Sequence, residues 1–273
     1  MQEFDKRQGR LSGKVAIVTG AGSRGPGVGT GKATSILFAR EGAKVLLVDQ
    51  DSARAEETLA TIREEGGEAS VFEADVTSEE NCKAMVDVAV ERYGHLNILF
   101  NNVGVGGSGT VLEFDEEIWQ RAMDVNLKSM VMTSKYAIPA MVKAGVGSIV
   151  NISSIAGIRA GSSAASIPYS VSKGGVIALT TQMAVHHGRD NIRVNCIAPG
   201  PIYTPMVAGN MSEETRDLRR RAGALGIEGT AWDIAWAGVF LASDESRWIT
   251  GVVLPVDSGV LATTPLAWLS QLG

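Results

Sequence analysis

The stretch that decides the fold runs Val-Ala-Ile-Val-Thr-Gly-Ala-Gly-Ser-Arg-Gly-Pro-Gly-Val-Gly-Thr-Gly over residues 15–31. Its apolar start predicts a buried strand at Val15–Thr19, and the apolar spacing of Lys32–Glu41 predicts a helix. A strand, a glycine-rich loop and a helix in this order favour dinucleotide binding, because glycine lets backbone amides approach a pyrophosphate at a helix N-terminus. The alternative interpretation of the loop is a flexible turn.

A mononucleotide P-loop is the rival phosphate-binding motif, because Gly31-Lys32 resembles its Gly-Lys pair. Pro26 occupies the position of its leading glycine, and Ala33 replaces its metal-binding hydroxyl. The sequence therefore argues against a P-loop.

Short β-branched runs alternate with helical patterns along the rest of the chain. Strands are predicted at Val15–Thr19, Lys44–Val48, Ser70–Phe72, Ile98–Phe100, Ser148–Ile152, Arg193–Ile197 and Val252–Val256. Helices are predicted at Lys32–Glu41, Ser52–Glu65, Ser78–Tyr93, Glu116–Lys143, Ser172–His187 and Trp232–Ala242. Strands that are apolar throughout are suited to burial on both faces. The alternation predicts a doubly wound α/β fold (a Rossmann fold), with a mostly parallel sheet of about seven strands and helices on both faces.

Length and composition predict one domain and exclude several classes of function. The 273 residues are 45% apolar, and no linker or repeat divides them. The domain is expected at residues 11–259, with an N-terminal extension at 1–10 and a C-terminal tail at 260–273. A net charge of −5 argues against nucleic acid as a partner. No secretory signal and no apolar run of about 20 residues is present, so we expect a cytoplasmic protein without a membrane partner.

The cysteines and histidines predict no metal site. Cys82 and Cys196 belong to no CxxC motif, and His95, His186 and His187 lack the spacing of metal ligands. We expect reduced, structural thiols.

Asp49 follows the second strand, about 20 residues beyond the glycine-rich loop, where a carboxylate can bind an adenosine ribose and repel a 2′-phosphate. This position favours NAD over NADP. Arg24 is the counter-evidence, because its guanidinium could stack on adenine or pair with a 2′-phosphate.

Tyr169 and Lys173 are four residues apart at the start of an apolar helical run, so both project from one helical face. A nearby ammonium favours the phenolate and brings a tyrosine toward acid/base work at neutral pH. The pair alone is weak evidence, since a solvated helix turn has the same spacing.

From about Leu11 to Gly259 the sequence resembles the short-chain dehydrogenase/reductase family. The motifs that carry the resemblance are the loop beginning Thr19-Gly20, Asp75-Val76, Asn101-Asn102-Val103-Gly104, Asn126 in Asp124-Val125-Asn126-Leu127, Ser153-Ser154, Tyr169 with Lys173, and Pro199-Gly200 with Thr204. Their order along the chain is the family's order.

The resemblance implies a catalytic role for four residues. Tyr169 would transfer the proton at the substrate oxygen, and Ser154, rather than Ser153, would hydrogen-bond that oxygen. Lys173 would lower the pKa of Tyr169 and bind the nicotinamide ribose. Asn126 would hold a water that links Lys173 to solvent, although by itself it is more typical of a polar side chain that satisfies helix backbone.

The resemblance also implies the cofactor contacts. These are Gly20, Ser23, Arg24, Gly29, Gly31, Asp49, Asp75, Val76, Asn102, Gly104, Tyr169, Lys173, Pro199, Gly200, Ile202 and Thr204. Asp75 and Val76 would contact adenine, Asn102 and Gly104 would pass beneath adenosine, and residues 199–204 would border the nicotinamide.

Two departures from the family's pattern limit this transfer. Eight residues separate Gly20 from Gly29, with the additional ones around Arg24–Val28, so the amides that meet the pyrophosphate are not defined. Ser154 and Tyr169 are also farther apart than is usual, and the small residues 161–166 in between should border the substrate pocket. With Gly106–Gly109 opposite, they predict a roomy entrance.

The predicted substrate lid is Tyr203–Gly229. Met206 and Met211 are expected to be adaptable apolar contacts in it. Its basic cluster comprises Arg216, Arg219, Arg220 and Arg221. A solvated helix face is one interpretation of the cluster, and recognition of a substrate carboxylate by one of its members is the other. The tail, which contains Trp268, is expected at a subunit interface of a dimer or tetramer, and the alternative is that it closes the core of its own subunit.

These features together predict reversible, nicotinamide-dependent oxidation of a secondary alcohol to a ketone. The alternative is a catalytically idle dinucleotide-binding scaffold or redox sensor. A hydrolase is disfavoured, because the chain contains no GxSxG motif.

Overall fold

The apolar run at residues 15–19 forms an interior strand of a parallel sheet. The computed structural model describes residues 9–160, 166–209 and 211–264. Its strands are β1 (Val15–Thr19), β2 (Lys44–Asp49), β3 (Ala69–Glu73), β4 (Ile98–Asn101), β5 (Gly147–Ile152), β6 (Ile192–Pro199) and β7 (Val253–Val256). They pair in the order β3-β2-β1-β4-β5-β6-β7, and every pair is parallel.

Helices connect the strands. They are α1 (Thr30–Arg40), α2 (Ser52–Glu64), α3 (Glu79–Tyr93), α4 (Glu116–Met123), α5 (Ser129–Ala144), α6 (Ile167–His187), α7 (Pro205–Ala208), α8 (Glu213–Arg221) and α9 (Ala231–Ala242). Within the described ranges, no helix is long and apolar enough to cross a membrane.

Both faces of the sheet are buried, as the apolar strands predict. Successive side chains of a strand point to opposite faces, so Leu47 packs in the layer that contains Leu37 of α1. Its neighbour Leu46 packs in the opposite layer, with Met85 of α3 and Met141 of α5. The doubly wound α/β fold is therefore confirmed.

Two helices differ from the sequence prediction. Residues 116–143 are not one helix, because a π-helical turn at Asp124–Lys128 separates α4 from α5. Apolar periodicity does not distinguish such a turn from α-helix. Helix α6 begins at Ile167 and not at Ser172, with Pro168 in its first turn, where the missing amide hydrogen loses no bond.

The strand order reverses at β1, since β2 lies on one side of it and β4 on the other. The loops that follow these strands diverge there and leave a crevice at the carboxyl edge of the sheet. Three predicted features fall partly or wholly outside the described residues: the extension at 1–8, the small-residue segment at 161–165, and the tail at 265–273 with Trp268.

Candidate active site

A cleft of about 1420 Å³ opens at the carboxyl edge of the sheet. Its lining includes every predicted cofactor-binding residue, together with Ser154, Tyr169 and Lys173. Asn126 lies behind the cleft and is fully buried. Residues that were chosen from distant parts of the sequence therefore meet at one place.

The glycine-rich loop packs directly against the first turn of α1. Gly20 has a φ of +64°, which favours glycine. A Cβ on Gly31 would lie 1.9 Å from the Gly20 carbonyl oxygen, so no side chain fits there. The close approach leaves the N-terminus of α1 open to the cleft, and its amides fit a pyrophosphate.

The additional residues of this loop, 24–27, are exposed and extend from a closed base. The Gly29 amide donates to Ser23 Oγ at 2.8 Å, which fixes the base. Arg24 is exposed and its Nη2 donates to the Gly104 carbonyl at 3.2 Å. Arg24 therefore reaches from the glycine-rich loop to the loop after β4.

Asp49 occupies the end of β2 and is joined to the backbone by both carboxylate oxygens. Oδ2 accepts from the Gly22 amide at 2.9 Å, and Oδ1 accepts from the Asp51 amide at 3.1 Å. Each oxygen has a second lone pair for a ribose hydroxyl. Arg54, which the sequence analysis missed, also lines this end of the cleft and pairs with Asp51 at 2.8 Å. The sequence signal that could have indicated Arg54 is its position in the first turn of α2, directly after the second strand.

Asp75 and Asn102 make local contacts beside the cleft. Asp75 Oδ1 accepts from the amide and the hydroxyl of Thr77, at 2.9 and 2.8 Å. Asn102 Nδ2 lies 3.2 Å from the carbonyl oxygens of both Thr19 and Gly20. Asn102 therefore braces the start of the glycine-rich loop.

The adjacent serines after β5 differ in environment. Ser153 is buried, and its hydroxyl donates to the Lys173 carbonyl at 2.7 Å. Ser154 lines the cleft beside Tyr169. Burial raises the pKa of Tyr169, and the neighbouring Ser154 hydroxyl acts in the lowering direction. The geometry thus offers Ser154, and not Ser153, to a ligand beside Tyr169.

Lys173 lies 5.8 Å from the centroid of the Tyr169 ring. Its ammonium donates to the Ile152 carbonyl at 2.8 Å. Burial lowers the pKa of Lys173 to about 8, which leaves most of the side chain protonated at neutral pH. The net direction for the pKa of Tyr169 is nevertheless upward, opposite to the sequence expectation, because its own desolvation is the largest effect.

Asn126 connects three chain segments. Its Oδ1 accepts from the Val105 amide at 2.8 Å, and its Nδ2 bonds the Val105 carbonyl at 3.0 Å and Ser172 Oγ at 2.9 Å. The π-helical turn is thereby joined to the loop after β4 and to α6. These contacts resemble the alternative interpretation of Asn126 as a backbone partner, although the backbone belongs to a loop.

The far end of the cleft follows β6. The Ile202 amide donates to the Gly200 carbonyl at 2.8 Å, and the Ile202 carbonyl accepts from Arg219 Nη2 at 3.3 Å. Both backbone groups that were predicted to meet the nicotinamide carboxamide thus already have partners. Pro199 and Thr204 complete this end.

The two ends of the predicted lid are hydrogen-bonded to each other. The Tyr203 amide donates to the Gly229 carbonyl at 2.8 Å. Arg216 donates to both oxygens of Glu228, at 2.7 and 2.6 Å, and lies 3.9 Å from the Tyr203 ring centroid. Met206 lines the cleft, whereas Met211 is outside its lining.

The entrance includes residues that the motifs did not indicate. On α4 and the following turn these are Glu116, Glu117, Gln120, Arg121 and Asp124. Gly106, Gly107 and Ser166 of the predicted entrance also line the cleft, but Ser108 and Gly109 do not. The sequence predicted a helix here but gave no sign that it borders the cleft, because the residues of α4 belong to no motif and reach the cleft only through the fold.

The cysteines lie in the protein interior. Cys82 and Cys196 are free, and burial raises the pKa of each thiol to about 11. No group of three His, Cys, Asp or Glu side chains within the described ranges could hold a metal ion.

The chain is similar to a family model that is described as a reductase and to a protein that is named as an oxidoreductase. A family model described as enoyl-(acyl carrier protein) reductase matches residues 26–261. The uncharacterized oxidoreductase YxbG of Bacillus subtilis (strain 168) is 39% identical over 264 residues, covering 94% of each chain.

Two solved structures are also similar. One, from Burkholderia xenovorans, is assigned by its name to the short-chain dehydrogenases/reductases. It is 40% identical with a TM-score of 0.89, over 94% of this chain and 99% of that one. The other is carveol dehydrogenase from Mycobacterium avium in complex with NAD. It is 31% identical with a TM-score of 0.86, over 94% of this chain and 100% of that one.

Proposed function

The chain belongs to the short-chain dehydrogenase/reductase family and is an oxidoreductase of alcohols and ketones, and on that premise we propose that NAD is its cofactor and that Tyr169, Ser154 and Lys173 perform the proton chemistry. The observation that carries this proposal is the meeting of the three side chains in the cleft that the glycine-rich loop borders. The alternative of a catalytically idle scaffold gains no support from the relatives.

The residues at the nucleotide end of the cleft fit a dinucleotide. The amides at the start of α1 would hold the pyrophosphate, and the Asp49 carboxylate would accept the hydroxyls of the adenosine ribose. NAD, when bound, supplies the acceptor for a hydride from the alcohol carbon.

Tyr169 would take the proton from the alcohol, or return it to the ketone, at the substrate oxygen. Ser154 would donate a hydrogen bond to the same oxygen as negative charge develops there. Lys173, held in place by the Ile152 carbonyl, would present an ammonium beside the phenol. Because burial raises the pKa of Tyr169, the neutral phenol is available as the proton donor for ketone reduction.

The substitution Tyr169→Phe tests the catalytic assignment. It removes only the hydroxyl, so we expect turnover of secondary alcohols and ketones to fall by at least about 100-fold while NADH affinity changes little. Rates with a panel of secondary alcohols and an NADH fluorescence titration measure the two quantities. Tyr136→Phe is the control, since Tyr136 hydrogen-bonds Glu79 away from the cleft. Turnover that survives in the Tyr169 variant contradicts the assignment.

NAD preference rests on Asp49. Its carboxylate would repel a 2′-phosphate, whereas Arg24 donates to Gly104, which lies beside Lys173 at the other end of the cleft. We expect NADH to bind more tightly than NADPH when both are titrated at one salt concentration. Asp49→Asn keeps the shape of the side chain but removes its charge, and should reduce the ratio of NADH affinity to NADPH affinity by at least about tenfold. Tighter binding of NADPH to the unsubstituted protein would overturn the preference and implicate Arg54, which lines the same end.

A homo-oligomer, either a dimer or a tetramer, is the proposed assembly. Its support is exposed apolar side chains on both faces of the molecule, Val131 and Val142 of α5 on one and Trp236 of α9 on the other, each close to half exposed. Light scattering at two protein concentrations measures the mass. We propose the cytoplasm as the location, which agrees with two free, buried thiols.

A further inference from the structure

Three of the four arginines on α8 are paired with carboxylates. Arg216 bonds both oxygens of Glu228. Arg220 and Arg221 both pair with Asp217, at 2.6 and 2.8 Å. For these three side chains, the interpretation as a solvated, ion-paired helix face holds.

Arg219 differs from the other three. Within residues 9–160, 166–209 and 211–264, no acidic oxygen lies within 4.0 Å of its guanidinium. Its hydrogen bond to the described chain is the 3.3 Å contact with the Ile202 carbonyl, which uses one of five N–H donors. Glu228 acts on Arg219 by its charge, but both of its oxygens are bonded to Arg216.

Arg219 lies where its unused N–H donors can reach a ligand in the cleft. The side chain is half buried, and burial lowers its pKa. It lines the cleft that also contains Ser154 and Tyr169, while Arg220 and Arg221 do not. A partly desolvated guanidinium with free donors favours a charged, planar partner such as a carboxylate.

From these observations we infer that Arg219 is a specificity-determining residue that binds a carboxylate of the substrate. The inference rests on the proposed oxidoreductase function and names its substrate class. The alcohols are hydroxy acids and the ketones are oxo acids, with the carboxylate toward the lid and the hydroxyl toward Tyr169. The Ile202 carbonyl holds the guanidinium in place through one N–H and leaves the others for the ligand.

Binding of acid and ester pairs tests the inference without turnover. The protein is saturated with NADH, and calorimetry measures the affinity for lactate, 3-hydroxybutyrate, 4-hydroxypentanoate and mandelate, each against its methyl ester. A hydroxy acid and NADH cannot react with each other, so only binding is observed. We expect at least one acid to bind about 10-fold to 100-fold more tightly than its ester.

Three variants show whether Arg219 causes the preference. Arg219→Met should abolish it, and Arg219→Lys, which keeps the positive charge, should retain part of it. Arg221→Met is the matched control, because it removes a guanidinium from the same helix outside the cleft, and should leave the preference unchanged. If Arg219 only tethered α8 to Ile202, the Met variant would change acid and ester affinities equally.

Other outcomes overturn the inference. One is an unsubstituted protein that prefers no acid of the panel. Another is an Arg219→Met variant that keeps the preference, or that weakens NADH binding instead, which would assign Arg219 to a cofactor phosphate. Turnover of neutral alcohols alone would refute the carboxylate and leave the oxidoreductase function intact. Acid binding that depends on Arg219 without oxidation of any bound acid would count against the proposed function instead.

Discussion

Gly31→Ala tests whether cofactor binding depends on the close contact between α1 and the glycine-rich loop. The added Cβ would lie 1.9 Å from the Gly20 carbonyl oxygen and 2.8 Å from Asn102 Nδ2, where ordinary contacts begin at 3.4 Å. The start of α1 would therefore have to retreat by about 1.5 Å. The obstacle is backbone and a bonded amide, so no flexible side chain can absorb the change.

Two measurable losses follow from this displacement. Helix α1 carries the buried core residues Leu37 and Phe38, and forced movement of a packed core costs about 1–3 kcal/mol of unfolding free energy. The amides at the helix start would move out of hydrogen-bond range of a pyrophosphate. Loss of one charge-assisted bond weakens NADH binding by about 10-fold or more. Urea unfolding and an NADH fluorescence titration at fixed salt measure these losses.

A graded series of glycine variants makes the reasoning refutable. Gly106 lines the same cleft with nothing within 4 Å of an added Cβ, so Gly106→Ala should bind NADH normally. Gly29→Ala, whose Cβ would meet Ser23 Oγ at 3.2 Å, should be intermediate. The reasoning fails if the Gly31 variant keeps both stability and affinity, or if the Gly106 variant loses as much.

Two further predictions concern buried polar groups. Because burial lowers the pKa of Lys173 to about 8 from 10.5, the unfolded chain binds a proton between these pH values that the folded chain lacks. The unfolding free energy of the protein should therefore rise with pH over this range, by on the order of 3 kcal/mol relative to the Lys173→Met variant. Urea unfolding of both proteins at about pH 8 and about pH 10 measures this rise, and its absence would contradict the prediction. Asn126→Ala leaves the Val105 amide and carbonyl and Ser172 Oγ without their partner, so it should cost roughly 2–4 kcal/mol in urea unfolding. A loss below about 1 kcal/mol would show that other groups satisfy Val105.

The sequence predicted the fold because its signals are local and repeated. Runs such as Ile98–Phe100 are apolar at every position, which only burial on both faces explains. The π-helical turn at Asp124–Lys128 was missed, because its residues continue the helical pattern and the bonds that hold Asn126 come from distant segments. Pro168 marked the true start of α6, a signal that the prediction did not use.

The site was predictable where ordered motifs mark its residues, and less so where the environment of a residue decides. Asp49 was found from its position after the second strand, Tyr169 and Lys173 from their spacing and the family resemblance, and all three line the cleft. The direction of the pKa of Tyr169 required the structure, because desolvation is absent from a sequence. Likewise, four arginines on α8 look alike in the sequence, and Arg219 is distinguished by its place in the cleft and by the ion pairs of the other three with Glu228 and Asp217.

The hydrogen bond between Tyr203 and Gly229 has an evolutionary consequence. Because the ends of the predicted lid are bonded to each other, we expect that the segment between them can be exchanged for another of similar span while β6 and α9 remain in register. Ser154, Tyr169 and Lys173 come from other parts of the chain and would be inherited unchanged. Selection could thus change which substrates the protein binds while Ser154, Tyr169 and Lys173 stay the same. Grafting another segment between Tyr203 and Gly229 in the laboratory would have the same effect.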